Sequence, residues 1–160
     1  MIYKFSVIDM SGEEVNLSHY KGSVLLVVNI ASKCSFTPQL GMLENIYQEF
    51  KYRDFEILGF PCNQFGSQTP EPTQEFGEFC AKKYNVTFPI FEKVDVRGKD
   101  ASPLFKFLQD QTRGVCGDKI KWNFTKFLIS RDGTEILRFA PSTHPFKLRP
   151  DIEDFVEKEK

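Results

Sequence analysis

Two short, almost wholly apolar segments constrain the fold of this chain most strongly. Residues 24–30 read VLLVVNI and residues 55–60 read FEILGF. Continuous apolar runs rich in β-branched residues are typical of strands covered on both faces of a sheet. Between the two runs, apolar residues recur at helical spacing at Leu40, Leu43, Ile46, Tyr47 and Phe50. The order strand, helix, strand predicts a right-handed parallel crossover.

Further segments extend this pattern. Strands are also predicted over residues 2–8, 88–96, 124–129 and 135–139. The last two flank Asp132-Gly133, a strong signal for a hairpin turn. Helices are predicted after Cys34, after Thr73, from Ser102 to about Gln111, and from about Pro150. We therefore expect an α/β fold with a central mixed β-sheet flanked by helices on both faces, in a single domain over residues 1–160.

Two helix starts are predicted from their capping residues. Thr37 can cap the helix after Cys34, and Pro38 suits the first helical position. Thr73 can cap the helix whose apolar face carries Phe76 and Cys80.

Composition excludes several classes of partner. The net charge is −1 and there is no basic block, so neither nucleic acid nor an anionic membrane is expected as a partner. No apolar run approaches the roughly 18 residues that span a membrane. The first residues, MIYKFSVIDM, lack the continuous apolar region of a signal peptide. We expect a cytoplasmic protein without membrane insertion.

The four cysteines are Cys34, Cys62, Cys80 and Cys116. They form neither a CxxC motif nor a Cys/His pattern at zinc spacing, so we expect no metal site and no cofactor. In a reducing compartment, widely spaced cysteines are more often buried or reactive than joined in structural disulfides.

Cys34 has the most informative position, between the end of a buried strand and the start of a helix. In open α/β sheets, ligands bind at this edge. A helix N-terminus favours thiolate over thiol, but its dipole contributes only about 0.3–1 kcal/mol. Further hydrogen-bond donors are therefore needed if Cys34 is reactive.

The chain offers neutral donors near this edge rather than a base. Asn63, Gln64 and Gln68 follow the second buried strand, and Trp122-Asn123 precedes a later one; amide and indole N–H groups donate without titrating. The two histidines, His19 and His144, lie in segments without another catalytic signature, which argues against a Cys-His protease. These residues alone leave a reactive thiol and a packing cysteine both open.

Three longer segments carry a resemblance to a known family. The stretches NIASKCSFTPQ, LGFPCNQFGSQ and KIKWNFTKFLISRDG resemble the glutathione peroxidase family in order and spacing. The chain is similar to this family over nearly its whole length, from the first strand to the last helix. The resemblance implies a thioredoxin-like fold and the reduction of hydrogen peroxide and organic hydroperoxides, including lipid hydroperoxides.

The resemblance also implies roles for individual residues. Cys34 corresponds to the peroxidatic position, and Gln68, Trp122 and Asn123 correspond to the other members of the family's catalytic tetrad. The thiolate of Cys34 would attack a peroxide oxygen, water or an alcohol would leave, and Cys34 would become a sulfenic acid. The neutral donors would stabilise the thiolate and the charge on the leaving oxygen.

Cys80 corresponds to the resolving cysteine of the thioredoxin-using, cysteine-type members. It also falls on the apolar stripe of its predicted helix, where a buried cysteine packs well, so a structural role stays open. A disulfide needs Cα atoms within about 7 Å, yet Cys34 and Cys80 lie on separate predicted elements. We therefore expect the helix around Cys80 to unwind locally when a Cys34–Cys80 disulfide forms.

Other features bear on the loop shapes and the assembly. Cys62 is expected to be packed and inert, whereas Cys116 could be an exposed thiol or an intermolecular partner. Thr69 stands where the family commonly has an acidic residue, which leaves the shape of its loop open. The chain from Gly114 to Lys121 is shorter than in tetrameric glutathione-using members, which implies a monomer reduced by thioredoxin or a similar dithiol protein.

Three functional hypotheses remain. The first is a thioredoxin-dependent hydroperoxide peroxidase, and the second is a glutathione-dependent enzyme of the same family in which Cys80 is structural. The third is a redox sensor that relays oxidation from Cys34 to a partner protein. The chain is not itself a thioredoxin, because it has no CxxC motif.

Overall fold

The computed structural model describes residues 1–113 and 119–158. The strands are β1 (Ser6–Ile8), β2 (Glu14–Asn16), β3 (Val24–Ile30), β4 (Phe55–Pro61), β5 (Lys126–Ile129) and β6 (Ile136–Phe139). The α-helices are α1 (Gln39–Phe50), α2 (Thr73–Tyr84), α3 (Pro103–Gln111) and α4 (Arg149–Glu157). Short 3₁₀ helices cover Ile2–Lys4, Leu17–Tyr20, Lys51–Arg53 and Pro145–Leu148.

The apolar strand β3 lies inside the main sheet, whose strand order is β4-β3-β5-β6. β3 and β4 are parallel, with Val24 opposite Phe55 and Ile30 opposite Pro61. β5 runs antiparallel to both β3 and β6, while β1 and β2 form a separate antiparallel pair. The parallel β3–α1–β4 crossover, the hairpin and the mixed sheet are therefore confirmed.

Alternate side chains of β3 lie in two cores, one on each face of the sheet. Leu26 and Val28 pack with residues of α1, α2 and α4, whereas Leu25 and Val27 pack with α3 and the N-terminal segment. Every residue of β3 is buried. Helices thus cover both faces, which is why this strand has a continuous rather than an alternating apolar pattern.

The α-helices are short. α1 and α2 have 12 residues each, and α3 and α4 have nine. Across residues 1–113 and 119–158, no helix has both the length and the apolar character that crossing a membrane requires.

Two of the predicted strands are wrong in whole or in part. Residues 2–4 form a 3₁₀ helix instead of extending, because the Phe5 N–H bonds back to the Ile2 carbonyl at 3.2 Å and Ile2 is fully buried. The segment around residues 88–96 makes only isolated bridges, such as Gly59 with Ile90. Pro89 has no N–H to continue a ladder there.

Both predicted helix caps are also wrong. α1 begins at Gln39, and the Thr37 hydroxyl instead donates to the Ala31 carbonyl at 2.9 Å. Thr73 is the first residue of α2, and its hydroxyl accepts from the Lys93 N–H at 3.1 Å. In both places the hydroxyl bonds to a backbone group outside its own helix, six residues away for Thr37 and 20 residues away for Thr73, a competition that helix-capping preferences do not reveal.

Arg131 holds together the end of the sheet that lies away from Cys34. Its side chain is buried, and a buried cation requires hydrogen-bond acceptors. The guanidinium donates to the carbonyls of Gly22, Arg53, Asp54, Val156 and Lys158. Arg131 therefore joins the starts of β3 and β4 to the end of α4.

We predict that Arg131→Met lowers the free energy of unfolding by about 3 kcal/mol, because five carbonyls, including that of the buried Val156, lose their donor. Urea unfolding followed by the fluorescence of the single tryptophan, Trp122, measures this. Arg149→Met is the control, since Arg149 is exposed and pairs only with Glu49 among the described residues; it should change stability little. Equal effects of the two substitutions would contradict the role given to Arg131.

Candidate active site

Cys34 lies in the connection from β3 to α1. The residue is 9% exposed and belongs to the buried core. The Phe36 N–H donates to Cys34 Sγ at 3.4 Å, and a donor in this position stabilises negative charge on sulfur. Because α1 begins only at Gln39, this donor comes from the turn before the helix.

Thr37 fixes the shape of the turn that carries Cys34. Its hydroxyl accepts from the Cys34 N–H at 2.9 Å and donates to the Ala31 carbonyl, also at 2.9 Å. The Thr37 N–H in turn bonds to the Cys34 carbonyl at 3.0 Å. Thr37 is almost fully buried, so these bonds hold the backbone around the sulfur without competition from water.

Gln68 reaches the same edge of the sheet from the loop after β4. Gly66 and Ser67 both have positive φ values, of 62° and 51°, and this left-handed turn redirects the chain before Gln68. The Gln68 carbonyl accepts from the Lys33 N–H at 3.0 Å. The loop of Gln68 is therefore hydrogen-bonded to the residue next to Cys34.

Asn123 links the connection before β5 to the connections after β3 and β4. Its Nδ2 donates to Gln68 Oε1 at 3.0 Å, and its side chain is fully buried. The neighbouring Phe124 has φ 67°, and its N–H bonds to the Asn29 carbonyl of β3 at 2.7 Å. Because Gln68 Oε1 already accepts from Asn123, the Gln68 NH₂ group is the part of this amide that can donate to a bound substrate.

Trp122 is half-buried beside Asn123 and packs against both cores of the protein. Its ring centroid is 5.8 Å from that of Phe65, and its carbonyl accepts from Asn29 Nδ2 at 3.2 Å. Cys34 belongs to one of the two cores that Trp122 contacts. The structure thus brings the segments of Cys34, Gln68, Trp122 and Asn123 to one edge of the sheet.

Asn29 is a residue of this site that the sequence analysis missed. It is the polar residue in the run VLLVVNI, and it is fully buried. A buried amide inside an apolar strand needs hydrogen-bond partners. Asn29 Nδ2 donates to the Trp122 carbonyl and the Asn29 backbone carbonyl accepts from the Phe124 N–H, while Asn29 Oδ1 has no partner among the described residues. A polar residue within an otherwise apolar strand was the sequence signal that could have identified Asn29.

The other polar residues of the β4 loop have structural partners. Gln64 bonds to the backbone of Val96 and Arg97, and Asn63 accepts from the Thr69 N–H at 2.9 Å. Thr69 itself is fully buried. Only Gln68 of this loop is therefore directed to Asn123 among the described residues.

Cys80 lies on α2 and is 1% exposed. It belongs to the same apolar core as Cys34, and both are free thiols. Burial, with a smaller contribution from the negative charge of Glu71, raises the pKa of the Cys80 thiol to about 12. Within the intact helix Cys80 is consequently a protonated, shielded thiol.

The remaining cysteines are separate from this site. Cys62 is fully buried in the core on the other face of the sheet, where burial raises its pKa. Cys116 lies outside the described residues, as does most of the short segment between Gly114 and Lys121. Within residues 1–113 and 119–158, no group of three or more His, Cys, Asp or Glu side chains could hold a metal ion.

A cavity of about 230 Å³ lies beside the Cys34 turn. Its lining residues are Ser35, Phe36, Pro38, Gln39, Met42, Ser142 and His144. One wall is fixed by the fully buried Lys126, whose ammonium donates to the carbonyls of Pro141 at 2.9 Å and Thr143 at 2.8 Å. Burial lowers the pKa of Lys126 to about 7. His144 and Lys126 are further neighbours of the site that the sequence analysis did not identify.

Comparison with known proteins identifies the family. A sequence model of the family described as glutathione peroxidase matches residues 2–109. A protein named glutathione peroxidase from Lactococcus lactis subsp. cremoris is 52% identical over 150 residues, covering 94% of this chain and 96% of the relative. The match extends over the connections that carry Cys34 and Gln68.

Solved structures give the same result for the fold. The crystal structure of Trgpx in apo form has a TM-score of 0.82 and 44% identity, covering 99% of this chain and 96% of that one. A thioredoxin family protein from Chlorobium tepidum has a TM-score of 0.62 over 95% of this chain and 92% of that one. At 15% identity it bears on the fold alone. This chain belongs to the glutathione peroxidase family, and it is a peroxidase built on a thioredoxin-like fold.

Proposed function

We propose that this peroxidase reduces hydrogen peroxide and organic hydroperoxides, including those of lipids, through the Cys34 thiol. The proposal rests on one observation. The connections after β3 and β4 and before β5 meet at the sheet edge where Cys34 lies. Lys33 N–H bonds to the Gln68 carbonyl at 3.0 Å, and Asn123 Nδ2 bonds to Gln68 Oε1 at 3.0 Å. A nearly buried thiol among neutral donors suits attack on a neutral peroxide.

In the first step the Cys34 thiolate attacks one peroxide oxygen and the O–O bond breaks. The sulfur takes the attacked oxygen, together with a proton, as a sulfenic acid. The other oxygen leaves as water or an alcohol after it too has gained a proton. Two electrons pass from sulfur to the peroxide, so one thiol is oxidised for each hydroperoxide reduced.

The donors around Cys34 have complementary roles in this step. The Phe36 N–H lies on Sγ at 3.4 Å and stabilises the thiolate. Gln68, whose oxygen is held by Asn123 and whose NH₂ group has no hydrogen-bond acceptor among residues 1–113 and 119–158, would donate to the charge that develops on the leaving oxygen. The indole N–H of Trp122 is the further donor that we assign to this site.

In the second step Cys80 attacks the sulfenic acid of Cys34. A Cys34–Cys80 disulfide forms and the hydroxyl leaves as water, taking the proton of the Cys80 thiol. Because Cys80 is 1% exposed within α2, the helix has to open locally for the two sulfurs to meet. A dithiol protein such as thioredoxin then reduces the disulfide by exchange.

A second candidate is direct reduction of Cys34 by glutathione, with Cys80 as a packing residue. The burial of Cys80 and the rise of its thiol pKa to about 12 favour this candidate. For either reductant, we propose a cytoplasmic monomer whose single domain spans residues 1–160.

We predict that Gln68→Leu slows oxidation of Cys34 by hydrogen peroxide by about 100-fold, because one donor to the leaving oxygen is lost. Gln68→Glu should be slower still, since a carboxylate repels the thiolate. Stopped-flow recording of Trp122 fluorescence after mixing with peroxide measures the rate, and repeating it against pH shows whether the thiolate is also affected.

Gln111→Leu serves as the control for this experiment. Gln111 is an exposed amide at the end of α3, and its removal should leave the rate of Cys34 oxidation unchanged. Wild-type rates in Gln68→Leu, with stability intact, would remove Gln68 from the catalytic group.

We predict that Cys80→Ser abolishes turnover with thioredoxin, thioredoxin reductase and NADPH while the first oxidation of Cys34 proceeds normally. The reason is that the sulfenic acid then has no internal thiol to form the disulfide. NADPH consumption at steady state measures turnover. Cys62→Ser is the control, because Cys62 lies in the opposite core.

Glutathione, glutathione reductase and NADPH form the comparison assay. Equal turnover of the wild type and Cys80→Ser with glutathione, together with no turnover on thioredoxin, would replace the first candidate by the second.

A further inference from the structure

Helix α2, which carries Cys80, has little stability of its own. It is 12 residues long, and Pro72 precedes it without a side-chain cap. Gly77 lies in its middle, where glycine is less favourable than alanine by about 1 kcal/mol. Isolated helices of this length are marginal in water, so α2 depends on contacts with the rest of the protein.

Met10 provides one of these contacts at the position of Gly77. A Cβ atom built on Gly77 would lie 2.5 Å from Met10 Sδ and 3.3 Å from Met10 Cε. The sulfur therefore occupies the space beside the helix backbone that a side chain at residue 77 would need. Gln74 adds a second contact, because its side-chain NH₂ donates to the Met10 carbonyl.

The turn that presents Met10 is fixed independently of α2. Asp9 Oδ1 accepts from the N–H groups of Ser11 at 2.9 Å and Glu13 at 3.0 Å. The Glu92 N–H bonds to the Ile8 carbonyl at 2.8 Å and ties β1 to the body of the protein. Met10 is consequently held in place by the β1–β2 turn and can restrain the helix that packs against it.

The restrained face of α2 is the one that carries Cys80. Gly77 and Cys80 are three residues apart, a spacing that makes them neighbours on the surface of a helix, and Gln74 is the neighbour of Gly77 one turn earlier. Met10, Gly77 and Cys80 also line one cavity of about 400 Å³. Movement of this face away from Met10 is therefore coupled to movement of Cys80.

We propose that Met10 is a positioning residue for disulfide formation: it holds α2 in its helical form and limits the rate at which Cys80 reaches oxidised Cys34. The proposal rests on the resolving role of Cys80 given above. The step itself is unchanged, since the Cys34 sulfenic acid and the Cys80 thiol combine to a disulfide and one water. Met10 acts only on the opening of the helix that precedes this step.

The test is a rapid-quench experiment on the full chain. Reduced protein is mixed with one equivalent of hydrogen peroxide, quenched with acid and a thiol-alkylating reagent, and digested, and the Cys34–Cys80 peptide is quantified by mass spectrometry. We expect Met10→Ala to form the disulfide roughly fivefold faster, the factor that corresponds to about 1 kcal/mol of lost contact. Consumption of the peroxide itself should keep its wild-type rate.

Two further variants separate restraint by Met10 from general loosening. Ile8→Ala is the matched control, because Ile8 is as exposed as Met10, at 37%, and lies in the same hairpin but outside the cavity lining; its disulfide rate should equal that of the wild type. Met10→Ala with Gly77→Ala should return towards the wild-type rate, because alanine at residue 77 then fits and strengthens the helix.

Amide hydrogen exchange supplies a readout that does not depend on chemistry at Cys34. In the reduced protein, residues 73–84 should exchange faster in Met10→Ala than in the wild type or Ile8→Ala. A disulfide that forms in Met10→Ala at the wild-type rate would overturn the role of Met10 and leave that of Cys80 intact. If the wild type formed no Cys34–Cys80 disulfide while it consumed peroxide, the resolving role of Cys80 would fall, and this proposal with it.

Discussion

The hydrogen bonds around the end of β3 are the constraint on which the rest of the site depends. β3 is paired with β4 on one side and β5 on the other, so the connections after β3 and β4 and before β5 meet at one edge. The Asn29 carbonyl accepts from the Phe124 N–H, and the Gln68 carbonyl accepts from the Lys33 N–H. These backbone bonds, together with the side-chain bond from Asn123 Nδ2 to Gln68 Oε1, thus set the relative positions of Cys34, Gln68 and Asn123.

The two cysteines with proposed roles illustrate opposing demands on one fold. Cys34 sits in a turn whose shape is held by the Thr37 hydroxyl and whose backbone donates to the sulfur, whereas Cys80 lies on a helix, where burial raises the pKa of its thiol to about 12. Packing Cys80 in the core stabilises the reduced protein, and resolution requires that packing to be given up. In the mechanism proposed here, a helix with a central glycine, contacted from outside by Met10, would reconcile the two by opening without unfolding the sheet.

Buried cations stabilise both ends of the sheet by the same physical means. Arg131 at one end and Lys126 at the other bond to backbone carbonyls that join β5 to neighbouring segments. Removing such a cation leaves several acceptors unpaired, which costs more than the loss of one exposed ion pair. At the Lys126 end the carbonyl of Pro141 also accepts from Gln39 of α1, so the cation contributes to the wall of the cavity beside Cys34.

The sequence by itself determined the buried strands, the crossover helix, the hairpin at Asp132-Gly133 and the family, because each depends on local periodicity, turn chemistry or long motifs. Tertiary structure decided the rest. It directed the Thr37 and Thr73 hydroxyls to backbone groups outside their helices instead of helix caps. It also recruited Asn29 to the site and placed Met10 against α2. Hydrogen bonds and close packing between residues far apart in the chain have no periodic signature, so they become visible only once the chain is folded.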